Sequence, residues 1–205
     1  MPYYIRILTP KSDCFSFTRL SDLTETAQGP LVISLDAGTP SNWETVTIRM
    51  RQRKSYSSIC QIEPLPVRAG AIGASELRGL RDELKGARPQ SAVTWLGEYL
   101  SKVRMIYLLQ VLSGTDTAGG WPAFHAILNW VHKEVGGIIH SDGEGFSNED
   151  GAQILWQFSD DVTGKWNMGI LRSDRWVHFT MELGDPSHRK SFLNGLVPDG
   201  AKIVK

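Results

Sequence analysis

The chain has 205 residues, 22 basic and 22 acidic side chains, and 41% hydrophobic residues. That composition supplies a core and excludes intrinsic disorder. The zero formal net charge removes any global pull toward nucleic acid or an acidic membrane surface. The opening residues lack a secretory-signal pattern, and no segment reaches the ~18 uninterrupted apolar residues of a membrane helix. Cys14 and Cys60 are the only cysteines. They are too few for a disulfide framework or a thiolate zinc site, and they read as free thiols in a reducing compartment. A cytoplasmic location is therefore expected.

Residues 3–68 read as strands. Tyr4-Ile5-Arg6-Ile7-Leu8 is an apolar run ended by Pro10, and Leu31-Val32-Ile33-Ser34-Leu35 is closed by turn residues 36–40. From 43 to 50, Val46, Ile48 and Met50 alternate with Thr45, Thr47 and Arg49, the period of a half-buried strand. Residues 59–67 alternate more weakly, and their two prolines suit an edge strand.

Residues 75–136 read as helices. Ser75 would cap a short helix to Lys85, and Ser91 a second one through about residue 112. In the second, Leu96, Leu100, Val103, Ile106 and Gln110 mark one stripe. Trp95, Tyr99, Tyr107 and Leu109 widen it, which implies burial on more than one side. Trp121, Phe124, Ile127, Leu128, Val131 and Val135 recur at helical spacing, with Pro122 in the first turn and Gly136-Gly137 as the stop.

Residues 137–183 read as an antiparallel meander with strands at 137–140, 153–159, 165–172 and 175–183. In the last, Val177, Phe179, Met181 and Leu183 alternate with Trp176, His178, Thr180 and Glu182. Ser173-Asp174 is the turn before it, and Asp185-Pro186 opens a short closing helix. Strands, then helices, then strands give an α+β class, not a doubly wound sheet. The expected architecture is antiparallel sheet with two or three central helices on one face, then a β-meander and a short helix. A single domain over 1–205 is expected. Its one plausible subdivision is at Gly86-Ala87-Arg88-Pro89, between a strand-rich part to residue 86 and helices plus meander from 90.

Functional residue types concentrate at 140–151, where Asp142, Glu144, Glu149 and Asp150 fall within nine positions. Carboxylates in a loop suit a hard cation, but the spacing fails the calcium-loop pattern. Asp142-Gly143 and Asp150-Gly151 are turn chemistry, so no metal and no cofactor are expected. Arg49, Arg51 and Arg53 would share one strand face, with Lys54 beside them, a row able to meet phosphates. The rest of the chain has no matching basic excess, which counts against nucleic acid. The histidines show no ligand spacing, and no nucleophile motif is present.

Trp176 shares its strand face with His178, opposite the apolar face, and Trp166 and Arg172 lie on the preceding strand. A Trp pair with charged neighbours has the composition of a binding surface. A helix covering that face would make it core instead. The helix running into Gly136-Gly137, the short strand and the acidic hairpin are similar to features of small bacterial proteins that neutralise toxins by binding them. That resemblance implies a non-enzymatic module with a protein partner. The expected surface is Trp166, Arg172, Trp176 and His178 with Asp142, Glu144, Glu149 and Asp150. The alternatives are a metal-assisted hydrolase or transferase using 142–150, and a phosphate or nucleic-acid binder using Arg49 to Lys54.

Overall fold

The computed structural model describes residues 2–23, 30–52 and 55–204. In chain order the strands are β1 (Tyr3–Thr9), β2 (Leu31–Thr39), β3 (Asn42–Arg51), β4 (Tyr56–Pro66), β5 (Met105–Val111), β6 (Ile138–Ser141), β7 (Gly145–Ser147), β8 (Lys165–Arg172), β9 (Arg175–Glu182) and β10 (Lys202–Ile203). The helices among the described residues include α1 (Ile72–Glu83), α2 (Gln90–Lys102), α3 (Gly120–Val135) and α4 (Pro186–Leu193). The class is α+β with antiparallel pairing of the strands. No helix among the described residues is long and apolar enough to cross a membrane.

The chain forms two compact units, each built from two stretches. One comprises Met1–Gly73 and Arg104–Gly137, the other Ala74–Val103 and Ile138–Lys205. The stretch 86–89 lies inside the second unit, between α1 and α2.

In the first unit the strand order is β2-β3-β4-β5-β1. Register places Ile5 opposite Leu109, Leu109 opposite Ile62, and Ile62 opposite Val46, so these residues share one face. All four are buried. The apolar stripe of α3, with Phe124, Ile127, Leu128 and Val131 buried, supplies the helical layer of this core. Phe15, Trp43, Tyr107 and Trp130 add an aromatic cluster with centroids 5.2–6.4 Å apart. The Trp43 indole donates to the Phe15 carbonyl at 2.7 Å, which satisfies its one polar atom.

Two expectations for this unit are corrected. The second helix stops at Lys102, and residues 105–111 are a strand between β4 and β1. Met105, Ile106, Tyr107 and Leu109 are all buried. A strand covered on both faces loses its polar alternation, so a short apolar run cannot be told from a helix by period. β4 is likewise not an edge strand: it lies between β3 and β5. Its pairing with β3 ends at Ile62, so Pro64 and Pro66 fall where only β5 is alongside. The capping assignments also shift. α1 begins before Ser75, and α2 begins at Gln90 with Pro89 as its cap residue.

The end of α3 rests on two glycines with different demands. Gly136 has φ +67° and open space where a Cβ would stand. Gly137 has φ +103°, and a Cβ there would collide with the Leu8 carbonyl of β1. A ψ of −174° puts Gly136 in a region essentially reserved for glycine, so Gly136→Ala should cost about 2 kcal/mol from backbone strain alone. Gly137→Ala should cost more, about 3 kcal/mol or above, because a clash with the β1 backbone adds to the strain of its positive φ. Urea midpoints of the two variants check this; equal losses would mean that β1 yields freely at Leu8.

In the second unit β6 and β7 form a hairpin, and β8, β9 and β10 form a sheet in the order β10-β9-β8. The β8–β9 turn is Ser173-Asp174, with φ of 46° and 60°. Two central residues in the left-handed region match the twist of a two-residue hairpin. The apolar face of this hairpin packs Met168, Ile170, Phe179 and Met181 against Phe158, Leu183 and Phe192. Asp185 caps α4 by accepting from the Ser187 and His188 backbone N–H groups, as Asp185-Pro186 suggests.

Residues 153–159 are not a strand. Gln153 makes single bridges to Ser147 and to Met168, and its neighbours bond elsewhere: Ile154 N–H to Phe146 and Trp156 N–H to Arg88. Residues 152–155 are buried throughout, so the segment threads between elements and satisfies its backbone piecemeal rather than in a ladder.

Candidate functional site

Helical spacing sets the first part of the site. Trp95 and Tyr99 are four apart on α2 and so lie on one face; their rings stack at 5.1 Å. Trp176, near the start of β9, meets Trp95 edge to face at 5.1 Å, the arrangement that aromatic quadrupoles prefer. All three residues are half-buried. A helix therefore partly covers the face of Trp176, leaving an aromatic group with one side open.

The loop after β7 supplies the polar part. Asn148 is buried, and its Oδ1 accepts from the backbone N–H groups of Asp150 (3.2 Å) and Ala152 (2.9 Å). That double acceptance fixes the amide's orientation, so Nδ2 donates to His178 Nε2 at 3.0 Å. His178 Nε2 is thus the acceptor and its ring proton sits on Nδ1. The Asp150 carboxylate stands 3.5 Å from the same nitrogen, a neighbour rather than its hydrogen-bond partner. The adjacent Glu149 carboxylate hydrogen-bonds the Tyr99 hydroxyl. Burial pushes the Tyr99 hydroxyl up, the Glu149 charge and hydrogen bond push it further, and a backbone contact at Ile138 opposes them. Tyr99 therefore stays a neutral phenol and donates to Glu149. Glu149 and Asp150 are exposed, so a fixed loop presents two carboxylates beside the aromatic group.

The eight residues singled out by sequence separate into groups. Trp176, His178, Glu149 and Asp150 share the contacts just described. Trp166 does not join them. It pairs with Met181, on the opposite face of the hairpin from Trp176, which pairs with Leu171. Trp166 packs on Phe158 at 4.7 Å as part of the core. Arg172 pairs with Arg175 at the exposed hairpin end, on the Trp166 side. Asp142 and Glu144 are half-buried in the β6–β7 turn, where the Glu144 carbonyl accepts from Gln153 Nε2. Trp95, Tyr99 and Asn148 complete the group and were not foreseen as site residues. Trp95 and Tyr99 carried a signal, as the residues that overfill the α2 stripe. Asn148 carried only a turn signal.

Other candidate chemistry is dispersed. His140 is buried against Phe146, with Nε2 3.0 Å from Glu83 Oε2, and Gln157 donates to the same oxygen at 3.3 Å. Among the described residues, no three His, Cys, Asp or Glu side chains gather to hold a metal ion. Arg49 of the basic row donates to Ser34 at 3.0 Å; Arg53 and Lys54 lie outside the described residues. Cys14 is exposed and Cys60 buried, both as free thiols, and burial pushes the Cys60 thiol up. Neither protein-family models, nor curated proteins, nor solved structures give a match to this chain.

Proposed function

We propose that this chain is a non-enzymatic protein-interaction module of the toxin-neutralising type, working in the cytoplasm. Its contact surface is Trp95, Tyr99 and Trp176, edged by Glu149, Asp150 and His178. The observation that carries the reading is the half-open Trp95–Trp176 pair beside two exposed carboxylates on a hydrogen-bonded loop. Rigid aromatics bury large area at low entropic cost and dominate many interfaces. Exposed rim carboxylates steer a basic partner and raise its rate of encounter.

The partner should be captured from the native host with the tagged wild-type chain and identified by mass spectrometry, and its affinity then measured with purified proteins. Trp176→Ala should weaken binding by about 2 kcal/mol or more, the cost of losing an interface anchor. Because Trp176 also packs on Trp95, the melting point of that variant will fall somewhat. Asp150→Lys, at an exposed position, serves as the companion, leaving circular dichroism unchanged and mainly slowing association. Unchanged affinity in both variants would remove this surface from the interaction.

A further inference from the structure

The other end of the Trp176 strand face carries a different chemistry, and it stands independently of the interaction surface. Lys165 pairs with Glu182, and Thr180 pairs with Lys202, so all four project from one face of the β10-β9-β8 sheet. With His188 of α4, Met181 and the small residues Gly200 and Ala201 they line a cleft of about 390 Å³. That is the volume of a small-molecule site.

We infer that this cleft binds a small phosphate monoester. Its donors are free to serve a ligand. Among the described residues neither the Lys165 nor the Lys202 ammonium has an ion-pair partner. Glu182, the cleft's own carboxylate, is committed through Oε1 to the backbone N–H groups of Gly164 and Gly184. His188 Nδ1 accepts the Glu182 backbone N–H at 3.3 Å, so the ring proton is on Nε2. The nearest carboxylate to that nitrogen, Asp185, is 3.8 Å away, beyond hydrogen-bond distance. Two ammonium groups, the Thr180 hydroxyl and an imidazole N–H are thus carried by residues that line one cleft.

Lysine is a regular phosphate ligand, acting as a point charge, and a tetrahedral dianion can accept from donors on more than one side. The space exceeds what a bare phosphate fills. The second oxygen of Glu182 can accept from a hydroxyl on the ester's organic part.

The test is an amide NMR titration of the full chain with glycerol 3-phosphate, with glycerol and sodium chloride at matched ionic strength as controls. Saturable shifts confined to residues around 165, 180–182, 188 and 200–202 are expected from glycerol 3-phosphate alone. Lys165→Ala with Lys202→Ala should weaken binding at least about tenfold, since one charge-assisted hydrogen bond accounts for that much. Both lysines are exposed, so the rest of the spectrum should be unchanged in the double variant. Shifts that chloride or glycerol reproduces, no saturable shifts, or equal affinity in the double variant would each overturn the assignment.

Discussion

Asn148→Ala should destabilise the protein by about 3 kcal/mol, a large loss for a side chain with no apolar area to bury. The reason is what the amide leaves behind. Its Oδ1 serves the buried N–H of Ala152 and the part-buried N–H of Asp150, and its Nδ2 serves His178. A buried donor left without an acceptor costs about 1–3 kcal/mol, more than the net gain of making a hydrogen bond. His178→Ala removes only the amide's third partner and should cost about 1 kcal/mol. Asn148→Asp keeps the acceptor oxygen for both backbone groups and should keep the 148–152 loop closed. Urea denaturation gives the stabilities, and amide exchange at Ala152 reports the loop directly. If Asn148→Ala matches the wild type in both, the loop is not held by this side chain, and the carboxylates of Glu149 and Asp150 lose their fixed positions.

Leu100→Ala should cost about 3 kcal/mol, within the 2–5 kcal/mol found for truncating a buried leucine. Leu100 is fully buried and continues the Ala92–Leu96 stripe of α2. Its carbonyl also accepts from the Arg81 guanidinium at 3.0 Å, tying α1 to α2. That bond runs through the backbone and survives the substitution, so the loss is one of packing alone. Glu98→Ala, at an exposed position of the same helix, should stay within about 0.5 kcal/mol. The pair tests which face of α2 turns inward, and thereby which way Trp95 and Tyr99 point. An unchanged urea midpoint for Leu100→Ala would place that residue, and the whole stripe, on the wrong side.

Much of the architecture was legible in local pattern because one face of each such element is wet and the other dry. Strand β9 alternates Val177, Phe179 and Met181 with Trp176, His178 and Thr180; of the inner set Phe179 and Met181 are core, and Val177 near the turn is half-buried. The Asp185-Pro186 start of α4 and the Gly136-Gly137 stop of α3 follow from backbone chemistry that few residues satisfy. The face of Trp166 is the exception: the expected surface joined it to Trp176, although register separates them. A two-residue turn at Ser173-Asp174 fixes Arg172 opposite Arg175, and counting back puts Trp166 opposite Met181, away from Trp176.

What only the tertiary structure decided are the matters that depend on which neighbours arrive. Residues 105–111 became a strand because β4 and β1 pair with both of their edges, while the unbroken apolar run from Met105 to Leu109 carries no period that separates strand from helix. Residues 153–159 failed to become one because their hydrogen-bonding groups found single partners on different elements. Trp95 meets Trp176 from 81 positions away, through a helix whose stripe was merely wide. Asn148 reads as an ordinary turn residue until burial makes its three contacts indispensable. Sequence fixes propensity and periodicity within an element, whereas side-chain roles between elements arise only when distant segments exclude water together.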